Sequence, residues 1–231
     1  MITLWMDRLV NLCKWPMAIV MLLVLKYLVL HNLVLISSSV QGEFVLFWLG
    51  VTVYLVLWKA FFSKRWLGGS FPTFIHESIH ALFAILTFHT VTNFSVTWKS
   101  GGQIGYTGGT GNWLITISPY FFPLATLLVW AGDEFFPLPV QTRELIFGFV
   151  FGFELIYVWK QIHPKQTDLQ KVGWLFAWLF LPSAILISYG STLHVLLYGG
   201  DSMLQWWGDI GKEIGTMCVW VWKEITQTIL S

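Results

Sequence analysis

The apolar residues of this chain gather into long runs separated by short polar or glycine- and proline-containing breaks. The runs come close to the roughly 20 residues that a helix needs to cross a hydrocarbon core. Residues 17–36 form the first and residues 44–62 the second, closed by Lys64 and Arg65, and together they predict a scaffolding helical hairpin. Gly68-Gly69-Ser70-Phe71-Pro72 reads as a helix start, leading into a mostly apolar helix over residues 73–88. The pattern then changes. Val91, Phe94, Val96 and Trp98 are β-formers, Lys99-Ser100-Gly101-Gly102 is turn material, residues 103–107 return as a second strand, and Gly108, Gly109 and Gly111 make a glycine-rich exit. Residues 113–130, interrupted by Pro119 and Pro123, and residues 145–159, containing Glu154, predict a fourth and a fifth span. A polar break over residues 160–171 holds His163, Pro164 and Asp168, and residues 172–197, with Pro182 inside, predict a sixth. From Ser202 onward Met203, Trp207, Ile210, Ile214, Met217, Val221 and Ile225 recur at helical spacing opposite Asp209, Lys212, Glu213, Lys223 and Glu224. That pattern suits a helix lying along the membrane interface or packing on a neighbouring subunit. The expected architecture is an α-helical polytopic membrane protein with about six transmembrane helices and a short β-hairpin. Residues 1–66 form an N-terminal hairpin, 67–199 a membrane core and 200–231 an amphipathic tail.

Composition sharpens this picture. Of 231 residues 56% are hydrophobic and only 11% charged, with mean hydropathy +0.68, whereas soluble domains carry about 25% charged residues. Fifteen Trp, seven Tyr and nineteen Phe suit membrane–water interfaces and require no cofactor box. A formal net charge of +1 offers no basic excess for nucleic acid, and Cys13 and Cys218, at opposite ends, make neither a metal-ligand spacing nor a disulfide framework. Lys26 and His31 inside the first run are expected to face other helices or to snorkel. Arg8 and Lys14 precede the apolar run as in a signal peptide, but no small-residue cleavage site follows, so the segment reads as a retained span. Lys59, Lys64 and Arg65 compete with Lys160, Lys165 and Lys171 across the membrane, so the basic residues do not set orientation.

The candidate chemistry lies in His76-Glu77-Ser78-Ile79-His80. Imidazoles four residues apart project from one helix face about one turn apart, close enough to share one tetrahedral metal. Glu77 points to the adjacent sector, where a carboxylate can take a proton from a water in the open coordination position and pass it to a leaving amine. Two His and one Glu in an apolar helix are costly to desolvate, which favours a functional over a packing role. A catalytic zinc takes three protein ligands, and Asp168, in the polar segment between two spans, is the expected third. Glu154 is the alternative, and a helix-capping role for Asp168 is the competing explanation. His163 is a candidate for orienting Asp168 or a substrate carbonyl, or else a loop histidine at the interface, and Asn112 is a further auxiliary candidate.

His76-Glu77-Ser78-Ile79-His80-Ala81-Leu82, the hairpin after it, Gly108 to Gly111 running into Asn112-Trp113, Ser118-Pro119-Tyr120 and Thr167-Asp168-Leu169 together resemble the site-2-protease-like intramembrane zinc metallopeptidases. The likeness spans residues 68–185. It implies that His76, His80 and Asp168 bind zinc, that Glu77 is the general base, and that a strand near the site receives unfolded substrate. The family's usual Asp-Gly, preceded by Asn-Pro or Leu, is replaced here by Thr167-Asp168-Leu169, closer to a compact branch with a Ser/Thr-Asp signature, and no PDZ-like domain is inserted.

A helical substrate keeps its amides bonded, so a protease must extend it, and an exposed sheet edge can accept the unwound chain as an added strand. The hairpin, through Val91, Phe94, Val96, Gln103 and Gly105, is the expected receiver; a plain extramembrane connector is the simpler alternative. Helix order raises a topological demand: if the fourth and fifth spans both cross, His76 and Asp168 begin on opposite sides, and a re-entrant or broken segment has to bring them together. The expected function is zinc-dependent proteolysis of a membrane protein or peptide in a lipid bilayer, with a bacterial inner membrane as the expected host and the tail available for oligomerisation. A non-enzymatic accessory subunit or metal transporter that uses the same His pair is the rival.

Overall fold

The computed structural model describes residues 1–42, 44–62, 70–97 and 101–230. Lys64, Arg65, Gly68 and Gly69, the expected β-former Trp98, and Lys99 and Ser100 of the expected turn lie outside these, as does the side chain of Ile225. The chain runs α1 (Ile2–Leu12), α2 (Lys14–Gln41), α3 (Val45–Leu57, continued by a π-helical turn Trp58–Phe62), α4 (Ser70–Leu86), β1 (Thr90–Thr97), β2 (Gly101–Thr107), α5 (Trp113–Ile117, continued by a 3-10 turn Ser118–Tyr120), α6 (Leu124–Phe135), α7 (Val140–Gln161), α8 (Thr167–Val172), α9 (Trp174–Tyr198) and α10 (Gly200–Leu230).

Two helix pairs form the scaffold. On α2, Val24, Leu28, Asn32, Leu35 and Ser39 are buried at steps of three and four, one stripe of a helix whose other faces are mostly apolar. Polar contacts tie that stripe to α9: Ser183 donates to the Met21 carbonyl, Asn32 Nδ2 donates to the Leu186 carbonyl at 3.4 Å, and His31 and His194 meet Nε2 to Nε2 at 2.9 Å. His31 thus faces its neighbouring helices, whereas Lys26 is exposed. The second pair, α3 with α7, is drawn together by glycines. A Cβ on Gly148 would collide with the Phe47 carbonyl and one on Gly50 with the Leu145 carbonyl, and Gly152 stands one turn further along the same α7 face. Small residues at this spacing let helix backbones touch.

The expected count of six spans is corrected by the helices themselves. Of the described helices only α2 and α9 are long and apolar enough to cross a membrane, and a third is added if the pair Trp113–Tyr120 and Leu124–Phe135, bent by 76°, counts as one broken span. That break falls at Pro119 and Pro123, where proline removes ladder donors and disfavours helix at the preceding residue. The second run yields a short apolar helix, α4 stops after 17 residues, and α7 mixes Arg143, Glu144, Glu154 and Lys160 into its apolar sequence. The tail is also more committed than its pattern suggests: Trp206 and Ile210 are buried against Val24 and Leu28 of the same chain.

The hairpin is antiparallel, with Thr90 opposite Thr107, Phe94 opposite Ile104 and Val96 opposite Gly102, and an irregularity between Val91 and Asn93. The chain enters it through Phe88, which holds a positive φ of 64°, while Thr87 Oγ1 and His89 N bond back to the Phe83 and Ala84 carbonyls at 2.7 and 2.8 Å.

The hairpin's exit is clamped by the N-terminal helix. Asp7, 1% exposed, accepts from the Thr110 and Gly111 amides through Oδ2 (2.8 and 3.0 Å) and from Asn112 Nδ2 through Oδ1 (2.8 Å). His89 Nε2 lies 3.3 Å from the same carboxylate. Gly109 has to be glycine here, since a Cβ would overlap Asp7 Oδ2. Asp7→Ala would leave three donors without their acceptor, that of Asn112 buried and those of Thr110 and Gly111 nearer the surface, at roughly 1–3 kcal/mol for the buried one and less for the others. We expect a loss of about 3 kcal/mol in thermal or denaturant unfolding in detergent, and a smaller loss for Asp7→Asn, which keeps one acceptor.

Candidate metal centre

Helix α4 begins with Pro72 in its first turn, a position whose missing donor costs nothing. Its buried stripe then includes Ile75, His76, Ile79, His80 and Phe83. The helical period thereby turns both imidazoles to one side, with Nε2 atoms 3.1 Å apart. Asp168 comes from the first turn of α8, ninety-two positions beyond His76, and its Oδ2 lies 3.3 Å from each Nε2. His76, His80 and Asp168 form a group that can hold a metal ion, and it is the only group of three or more His, Cys, Asp or Glu side chains of that kind among the described residues. An ion with bonds of about 2.0–2.1 Å in tetrahedral geometry places its ligands about 3.3 Å apart. The donor set fits such an ion in spacing and in chemistry.

The surrounding contacts orient each ligand. His80 Nδ1 meets the Ile115 carbonyl at 2.7 Å, which requires the proton on Nδ1 and leaves the Nε2 lone pair directed at the centre. His76 Nδ1 is 3.2 Å from the Tyr157 hydroxyl, and the Tyr120 hydroxyl donates to Asp168 Oδ2 at 3.3 Å. Burial by itself would raise the Asp168 carboxyl, but with no ion bound the two imidazoles, when protonated, donate to it and add charge that holds it well below the usual carboxylate range. Lys171 Nζ, 3.7 Å from Oδ1, adds a cation on the solvent side.

Short helix α8 is held from both ends. Leu169 and Val172 are buried, and Lys14 Nζ donates to the Val172 carbonyl at 2.7 Å. Upstream, the Gln166 amide bonds to the His163 carbonyl and Gln166 Nε2 to Gln161 Oε1. Gln166, not Asp168, takes the N-cap position, so the carboxylate is not spent on capping.

Glu77 is 7% exposed and lines a cleft of about 470 Å³ together with His76, His80, Asp168 and β2 residues Gly101 to Ile104. Gly102 presses against it so closely that a Cβ there would overlap the Glu77 side chain. Of the expected hairpin residues Gln103 borders this cleft. Phe94 on β1 instead packs on Phe74 with ring centroids 5.8 Å apart, and Gly105 lies opposite Asn93. Val91 joins the apolar core and Val96 pairs with Gly102.

Three expected residues lie elsewhere. Glu154 is buried on α7 and accepts from Thr126, from its amide at 3.1 Å and from its hydroxyl, so it is not in the ligand group. Exposed His163 accepts from the Lys165 amide through Nδ1 and does not reach Asp168. Asn112 caps α5 by accepting from the Ile115 amide and completes the Asp7 clamp. The sequence pattern did not single out Tyr157 or Asp7, and it included Tyr120 and Gly102 only within a motif and a turn, with no role at the centre; the polar-tipped tyrosines inside apolar runs were the available signal for Tyr120 and Tyr157. Compared with family models, curated proteins and solved structures, the chain matches none of them.

Proposed function

We propose that this protein is a zinc-dependent protease of membrane-embedded or membrane-adjacent polypeptides, with His76, His80 and Asp168 as metal ligands and Glu77 as general base. The observation that carries the reading is the convergence of two imidazole nitrogens and one carboxylate oxygen at 3.1–3.3 Å, with a second carboxylate, Glu77, lining the same cleft. Zinc bound there would act as a Lewis acid, lowering the pKa of a water to about 7 and polarising a carbonyl. Glu77 holds the proton removed during attack and returns it to the leaving amine. Strand β2, whose second edge has no strand partner among the described residues, offers main-chain groups along the cleft, and an extended substrate pairs there as an added strand. The absence of a side chain at Gly102 lets this strand lie directly against Glu77. Helices α2 and α9 anchor the enzyme as an integral, multi-pass protein, with a bacterial inner membrane as the proposed setting.

The test is metal removal and restoration. Purified protein in detergent should contain about one zinc per chain and cleave an unfolded or transmembrane peptide. A strong chelator should abolish cleavage, and stoichiometric zinc should restore it. Folded protein without zinc refutes the reading, as does metal-loaded protein that transports the ion across vesicles but cleaves nothing.

A further inference from the structure

A second cavity lies on the other side of α4 from the metal cleft, between α3, α4, α6 and α7, with a volume of about 750 Å³. Its walls are apolar and aromatic, including Phe74, Val129, Val150, Phe153 and Ile156. Polar groups gather where α7 ends: Lys160, Gln161 and His163 all line it, and the exposed Lys160 extends its ammonium 5.4 Å from the Trp58 ring centre. Thr73 and Gln161 line both cavities, so this chamber shares a wall with the metal cleft.

The shape and charge select the occupant. The volume falls within the roughly 300–1,000 Å³ of small-molecule sites. Three turns of a helix about 10 Å across would need about 1,300 Å³, so a complete transmembrane segment does not fit. A flexible hydrocarbon chain does, and a cation at one end complements an anionic head. We propose that this chamber binds an acyl chain of an anionic phospholipid from the surrounding bilayer, with the phosphate held at Lys160 and the chain buried among Phe74, Val150, Phe153 and Ile156. Lysine at the edge of an apolar pocket keeps its stem in contact with hydrocarbon and its charge at the headgroup level. The proposal is independent of the protease reading, because it needs neither metal nor catalysis.

The full-length protein would be reconstituted in phosphatidylcholine vesicles doped with phosphatidylglycerol carrying a photoreactive diazirine on one acyl chain, and adducts mapped by mass spectrometry. Adducts should concentrate on Phe74, Val150, Phe153 and Ile156, and unlabelled phosphatidylglycerol should compete about fivefold better than phosphatidylcholine. Lys160→Gln, at an exposed position, should remove that headgroup preference while leaving the protein folded, and Val150→Trp should reduce labelling of the chamber by filling it. Labelling no denser on the chamber walls than on the outer face of α2 overturns the proposal. So does a headgroup preference that survives Lys160→Gln, or displacement of the probe by an apolar peptide but not by unlabelled phosphatidylglycerol.

Discussion

Glu77→Gln should leave zinc in place and reduce peptide cleavage by about 10³-fold, within the range expected for loss of a general base. The substitution is nearly isosteric, and Glu77 is outside the ligand group, so the metal should be unaffected. What is lost is the ability to hold a proton between attack and amine departure. His80→Ala and Asp168→Ala make the contrast. Each removes a donor from a set spaced at 3.1–3.3 Å, and both zinc content and cleavage should fall together. Glu154→Ala should keep its zinc, because that carboxylate is engaged by Thr126. Zinc measured by elemental analysis beside single-turnover cleavage separates these outcomes; a Glu77→Gln protein with full activity would remove Glu77 from the mechanism.

Gly148→Leu should be the most damaging substitution away from the metal. A Cβ at this position overlaps the carbonyl oxygen, carbonyl carbon and Cα of Phe47, which are backbone atoms and cannot rotate aside. The helices would have to separate along a contact that buries Phe47, Val51, Phe147 and Phe151. We expect a cost above about 4 kcal/mol, the range reserved for overpacking and similar failures, seen as loss of a cooperative thermal transition in detergent. Gly152→Ala provides the control. There the nearest atom to an added Cβ is the Val51 carbonyl at 3.2 Å, a tight contact that a small shift relieves, and the expected cost is about 1 kcal/mol. Equal behaviour of the two variants would mean that close approach at Gly148 does not hold α3 to α7.

How much was legible in the sequence depended on the range of the interaction. His76, Glu77 and His80 were readable because helical periodicity is local, and four residues of spacing already imply a shared face. The hairpin was readable too, since β-formers flank Lys99-Ser100-Gly101-Gly102, although Gly101 and Gly102, expected in the turn, already belong to β2 and pair with Thr97 and Val96. Asp168 was harder: both it and Glu154 are carboxylates beside apolar runs, and no local pattern says which meets the histidines. The choice is made by Thr126, whose amide and hydroxyl occupy Glu154 from another helix. The count of spans failed for a related reason. Hydropathy over residues 113–130 adds up across Pro119 and Pro123, although the backbone bends by 76° there. Asn112 shows the same limit. A side chain in a glycine-rich exit beside the candidate site looked auxiliary, but its partner is Asp7, 105 positions earlier, and sequence distance hides such a pair.

The distance between α4 and α8 along the chain also bears on how the protein is made. Ribosomes deliver His76 and His80 long before Asp168, with the hairpin, α5, α6 and α7 in between. A nascent chain halted anywhere in that interval presents two imidazoles and no carboxylate, one donor short of the set that a catalytic zinc needs. If the centre is the proteolytic site proposed above, a partly made polypeptide would lack the third ligand, and products truncated before α8 would be unable to assemble the metal centre.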